Sequence, residues 1–253
     1  VRAPGRLALL AAATLIFIAD GALLASGATK EARQKKRQAA AVEKRLDGRI
    51  ASLRSLQDQS NSQRSRVESA FNAVDELHNL ASVVEGIPQA DVRFPAARDS
   101  MDRAKTALDG LPQLTSKIIH EAEAGRAGIA TLQRLVTDPA RLRYLEALDR
   151  ALDLLIQTHN IYSRANTAIA GGMKLYSDLL AATDTFLQRE RSGGFRSRRE
   201  AAASYTVTTE GTVASIQTFS AQLDAISKEA EASAKKTTEA LKQAAALYSR
   251  VRL

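Results

Sequence analysis

The sequence has no cysteine and no tryptophan. Without cysteine there is no disulfide scaffold, no thiol nucleophile and no thiolate metal site. Aromatic residues make up only 4% of the chain, and proline occurs five times in 253 residues. A compact globular core of this length normally draws on more large aromatics. Four prolines (Pro88, Pro95, Pro112 and Pro139) lie between residues 88 and 139, so the later two-fifths of the chain holds no breaker of that kind. Alanine, leucine, serine, arginine and glutamate fill the sequence, as in long helices. No stretch of strand-like alternation persists. The expectation is therefore an all-α protein: an elongated antiparallel helical bundle or coiled coil, with an N-terminal hydrophobic helix.

Charge is unevenly placed. Through residue 66 there are 13 Lys and Arg against 5 Asp and Glu, and the remainder carries 23 of each. The net charge of +8 is thus a local property of the first quarter. It is not a basic surface spread over a folded domain, which argues against nucleic acid as a partner.

Arg2 and Arg6 precede an apolar run of 13 residues at 7–19, LALLAAATLIFIA; after Asp20 and Gly21 it resumes to Ala28. The first run has the length of a signal-peptide core, and Ser26 and Ala28 supply small residues for cleavage. The whole span, at ~1.5 Å per residue, is long enough for a ~30 Å hydrocarbon layer. Asp20 opposes insertion, at about 2.5–3.5 kcal/mol near mid-membrane. Residues 1–28 are read as a signal peptide or membrane anchor, and 29–66 as a basic juxtamembrane helix. The positive-inside rule favours a cytoplasmic body, whereas the three-part signal pattern favours export. Asp20 and the small residues together tip the reading to an extracytoplasmic body, either tethered or released by cleavage.

In residues 30–57, Val42, Leu46, Ile50, Leu53 and Leu56 recur every three or four positions. The following QDQSNSQRSR, 57–66, has no apolar residue. It reads as a solvated stretch of continuous helix; the alternative is a break, with Ser65 and Glu68 capping a new helix. Val67, Phe71, Val74, Leu77, Leu80 and Val84 extend the stripe to Gly86. The prolines then suggest a short helix from Pro95 to Leu108, with Gly110 in the left-handed terminal position. Another helix follows from Leu114 to Val136, and Asp138–Pro139 marks a start. The bundle is assigned to 67–253, with a long hairpin at 139–253. Its first helix has a seam at Leu145, Leu148, Leu152, Leu155, His159, Tyr162, Asn166, Ile169, Met173, Tyr176, Leu180, Thr183 and Leu187. A second stripe on another face implies more than one neighbour. SGGFR, 192–196, is a turn, and Ser197 with Glu200 forms a capping box. The last helix repeats the spacing from Tyr205 to Val251, with only small residues between Ala230 and Ala244.

Chemistry-bearing candidates are few. Asp75 and His78 share a helix face, but a carboxylate-bridged metal bundle needs a second such pair and two further carboxylates. His120 with Glu123 is weaker still. No metal or cofactor is expected, and no catalytic set is identified. His159, Tyr162, Asn166 and Tyr176 line one seam, with Gly171–Gly172 allowing close approach; they make either a polar core layer or a ligand pocket. Lys30, Arg33, Lys35, Lys36 and Arg37 suit anionic lipid headgroups. Arg189, Arg191, Arg196, Arg198 and Arg199 surround the final turn, where solvated charge is the plain reading. The expected role is a non-enzymatic, membrane-associated scaffold of a bacterial-type cell envelope. It would engage a protein partner, or copies of itself, through helix faces. The alternative is a ligand-sensing bundle acting with a transmembrane partner.

Overall fold

A computed structural model describes residues 30–251. The segment read as a signal or anchor lies outside the described residues. Four long helices pack against each other: α1 (Lys30–Ala81), α2 (Ile87–Leu135), α3 (Pro139–Arg191) and α4 (Arg198–Val251). No strand occurs among the described residues. Cα packing divides the chain into two units, to which all four helices contribute. Among the described residues, the first comprises Asn61–Gln113 and Ser163–Ser227, and the second comprises 30–60, Leu114–Tyr162 and 228–251.

Helix boundaries follow from local chemistry. Asp138 Oδ1 accepts from Ala140 N–H at 3.1 Å, with Pro139 as the first helical residue. At the end of α3 the Gly193 N–H donates to Glu190 O (3.0 Å) and Gly194 N–H to Arg189 O (2.9 Å). Gly193 has φ +71°, so the helix ends in a Schellman motif. Glu200 N–H donates to Ser197 Oγ at 3.2 Å, while Glu200 Oε2 accepts from Arg196 N–H, one residue before the cap. Between α1 and α2 a single 3-10 turn, Val84–Gly86, reverses the chain. A Cβ on Gly86 would meet Leu80 O at 2.3 Å, so only glycine fits there.

Two expectations about α1 and α2 need revision. The polar stretch 57–66 is uninterrupted helix, but it is not fully solvated: Ser60 and Arg64 are buried. Ser65 is mid-helix, its carbonyl accepting from Ser69 Oγ, and caps nothing. The short helix to Leu108, the stop at Gly110 and the new start at Leu114 do not exist. α2 is one helix through both Pro95 and Pro112. Both prolines are exposed, so each forfeits one backbone hydrogen bond on the solvent side. The buried stripe Ile87, Ala90, Phe94, Ala97, Met101, Ala104, Ala107, Leu111 and Leu114 carries on past them.

The second unit has an aliphatic core. Leu46, Ile50 and Leu53 of α1, Ile118, Ile129 and Leu132 of α2, and Leu145, Leu148, Leu152 and Leu155 of α3 form one cluster, joined by Ala244 of α4. Hydroxyls fasten α3 to α4 where the α4 seam is small: Thr158 Oγ1 lies 2.8 Å from Ser233 Oγ and 3.2 Å from Thr237 Oγ1. Arg126 of α2 grips α3, its Nε and Nη2 donating to Asp149 at 2.9 and 3.1 Å and its Nη1 to Asp153. Arg49 pairs with Glu121 at 2.7 Å, and Arg141 with Glu43. The first unit is aromatic. Phe71 stacks on Tyr176 with centroids 4.2 Å apart, and Phe219 meets Phe71 edge-on at 6.0 Å. Small side chains of α2, Ala90, Ala97, Ala104 and Ala107, are buried in this unit, which leaves volume for rings from the other helices. Helix α3 buries all thirteen residues of its expected seam.

Candidate functional site

The seam residues singled out as a polar layer or pocket fall in two units, since the division lies between Tyr162 and Ser163. In the second unit, His159 and Tyr162 are buried, their rings edge-to-face at 5.3 Å. In the first, Asn166 Oδ1 stands 3.5 Å from Arg64 Nη2, and the Tyr176 hydroxyl donates to Asp75 Oδ2 at 3.2 Å. Gly172 earns its place sterically: a Cβ there would lie 2.3 Å from Phe219 Cζ. Gly171, beside it, faces open space.

Asp75 and His78 do share a face of α1, yet each engages a tyrosine. Asp75 accepts from Tyr176 of α3. His78 Nδ1 lies 3.2 Å from the Tyr205 hydroxyl of α4, which lies 2.7 Å from Thr183 Oγ1 of α3. Thr183 Oγ1 also donates to Leu179 O at 2.8 Å. A hydroxyl has one proton to give. With that proton on Leu179 O, Tyr205 donates to Thr183, and His78 donates from Nδ1 to Tyr205. Burial lowers the pKa of His78 below its usual 6.5 and pushes the Tyr205 phenol up to about 12, outweighing the opposite effect of its hydrogen bond with Thr183. The chain of groups is a fixed, neutral linkage among three helices. This His–Tyr–Thr linkage and the Asp75–Tyr176 bond have no signature in the sequence beyond the Asp-x-x-His spacing.

His120 and Glu123 are exposed. Among the described residues no group of three or more His, Asp or Glu side chains is placed to hold a metal ion. A void of about 10 Å³ in the second unit is lined by Ile50, Leu53, Leu148, Ala151, Leu152, Leu155 and Leu241. It is no larger than a water and offers one no polar partner.

Two charged surfaces remain. At the α3–α4 turn, Arg189 lies over the Phe195 ring at 4.6 Å, Arg191 Nε donates to Asp91 at 2.7 Å, and Arg198 is 3.7 Å from Glu190. Arg196 and Arg199 are exposed. Much of this arginine cluster is therefore used within the unit. At the start of α1, Lys30, Arg33, Lys35, Lys36 and Arg37 are all exposed. The described residues from Lys30 to Gln38 are exposed whichever way they face; Leu46 is the first buried side chain. No helix among the described residues is long and apolar enough to cross a membrane. No protein-family model, curated protein or solved structure matches this chain.

Proposed function

We propose that the protein is a non-enzymatic, membrane-associated helical scaffold or interaction protein of a bacterial-type cell envelope, its bundle held on the extracytoplasmic side. The observation that carries this reading is the succession along the chain of an apolar span at 7–28 and an exposed basic helical segment from Lys30. That order places positive charge where a bilayer's headgroups begin. Helices of about fifty residues with charged outer faces suit assembly with a protein partner or with further copies. Fractionation of cells making the tagged full chain, combined with mass spectrometry of its mature N-terminus, tests the reading. Recovery in the membrane fraction and a stoichiometric co-purifying protein are expected. A wholly soluble, partnerless protein would overturn it.

A second reading, a ligand-sensing bundle acting with a transmembrane partner, is favoured by the buried Asn166 and Tyr176 and the half-buried Asp75 and His78 on facing helices of the first unit. Thermal stabilisation by a small molecule, without any stoichiometric protein partner, would select it over the scaffold.

A further inference from the structure

Basic residues occur around the start of α1, with Lys35, Lys36 and Arg45 well to the side of or opposite the rest, but four of them share one side. At ~100° per residue, Lys30, Arg33, Arg37 and Lys44 fall within an arc of about 60°. The core seam of the same stretch, Val42, Leu46, Ile50 and Leu53, is centred about 180° away. The four cations form a single line about 21 Å long that faces directly away from the bundle. Lys35 lies on the seam line instead, exposed because the second unit's packing has not yet begun there. Lys44, absent from the sequence-level set, completes the stripe. Glu43 is held by Arg141, which leaves Asp47 as the acid flanking its far end.

Resting on the membrane reading above, we infer that the first four turns of α1 lie flat along an anionic lipid surface, contacting headgroups through Lys30, Arg33, Arg37 and Lys44, with the second unit on the opposite side. A line of charges along a helix fits a plane, not a point. Lys30 follows the apolar span by two residues, a reach of at most about 7 Å, so the stripe starts at headgroup level. A helix start this short, with no apolar residue larger than alanine before Val42, is marginal alone. Surface contact on one face and continuity with the bundle at its far end both stabilise it. A nucleic acid would meet the same charges, but four cations next to an apolar span fit a bilayer better than a duplex.

The absence of cysteine makes the test clean. The full chain with Ala41→Cys, on the stripe side, carries one fluorophore and is reconstituted in vesicles of phosphatidylcholine, with or without one-third phosphatidylglycerol. A headgroup-attached quencher reports proximity. Quenching is expected to be strong only with phosphatidylglycerol and to fall to the neutral-lipid level when Lys30, Arg33, Arg37 and Lys44 are all changed to glutamate. Each reversal weakens the surface-held state about fivefold or more. Lys35→Glu alone should leave quenching almost intact, whereas Arg37→Glu alone, the same charge change on the stripe, should weaken the surface-held state about fivefold or more; the matched pair guards against a general charge effect. Equal quenching in both lipids, or equal loss in Lys35→Glu and Arg37→Glu, overturns the inference while the protein still floats with vesicles. Release of the label from anionic vesicles by short duplex DNA would assign the stripe to nucleic acid and overturn it too. Failure to float with either lipid removes the membrane reading, and this inference with it.

Discussion

The two units are built from the same four helices and hold together differently. One is cemented by leucine and isoleucine, with ion pairs such as Arg126–Asp149 at its edge. The other carries stacked rings and half-buried hydrogen bonds that run from His78 and Asp75 to tyrosines a hundred or more residues away. Aliphatic packing is adjustable and non-directional. Rings with polar ends demand one rotation and one depth for each helix. The aromatic unit should therefore tolerate less change of shape, and the aliphatic unit less loss of volume.

The largest effect is expected from Leu148→Ala in the aliphatic unit. This fully buried leucine borders the existing void, and truncation should lower unfolding free energy by about 2–5 kcal/mol, read by chemical denaturation. A smaller loss would mean that the neighbouring leucines collapse into the space. Next comes Gly172→Ala in the aromatic unit. Its new methyl collides with Phe219, at a cost of about 1–3 kcal/mol. Gly171→Ala is the control, since it adds a methyl into open solvent and should raise stability by up to about 1 kcal/mol. If the two neighbours behaved alike in thermal melts, the claim of shape intolerance would fail.

Tyr205→Phe should cost about 1–2 kcal/mol, because it strands the polar partners on His78 and Thr183 while keeping the ring. The same linkage predicts an acid limb. Burial depresses the pKa of His78, so its contribution is complete above about pH 6.5 and is lost as pH falls through the lower folded value. Denaturation midpoints measured from pH 7.5 to 5 should decline, and His78→Asn should flatten that decline. The smallest change belongs to Arg126→Ala: its pairs are more than a third exposed, so no more than about 1 kcal/mol is expected, shrinking further in high salt.

How much of this was legible in the sequence depends on which residues carried the pattern. The α3 seam is spelled in leucine, tyrosine and isoleucine, and all of it is buried. The stripe of α2 is spelled largely in alanine, so Pro95, Gly110 and Pro112 outweigh it as sequence signals. The structure reverses that order, because both prolines occupy the exposed side. Ser60 and Arg64 interrupt the rule that buried means apolar, and a hydropathy pattern passes over them. The Tyr205 and Tyr176 bonds join positions more than a hundred residues apart or on separate helices, where periodicity within one helix is silent. The basic segment was visible, but its stripe needed the direction of the core to define which side faced out.

The short α3–α4 connection has a consequence for how such a chain can change length. Gly193 and Ser197 end one helix and begin the next within a few residues, so the rotation of α4 against α3 is set like a ratchet. A single residue inserted in α3 after Thr183, or in α4 before Tyr205, would turn everything beyond it by ~100°, taking Tyr205 off Thr183. Seven residues restore the phase, but the neighbours must lengthen with it. The chain can therefore grow or shrink by nearly whole pairs of turns, made in concert across its helices, or at its connecting turns. Its length behaves as a quantised variable, and insertions elsewhere should be rare in any descendant that keeps this fold.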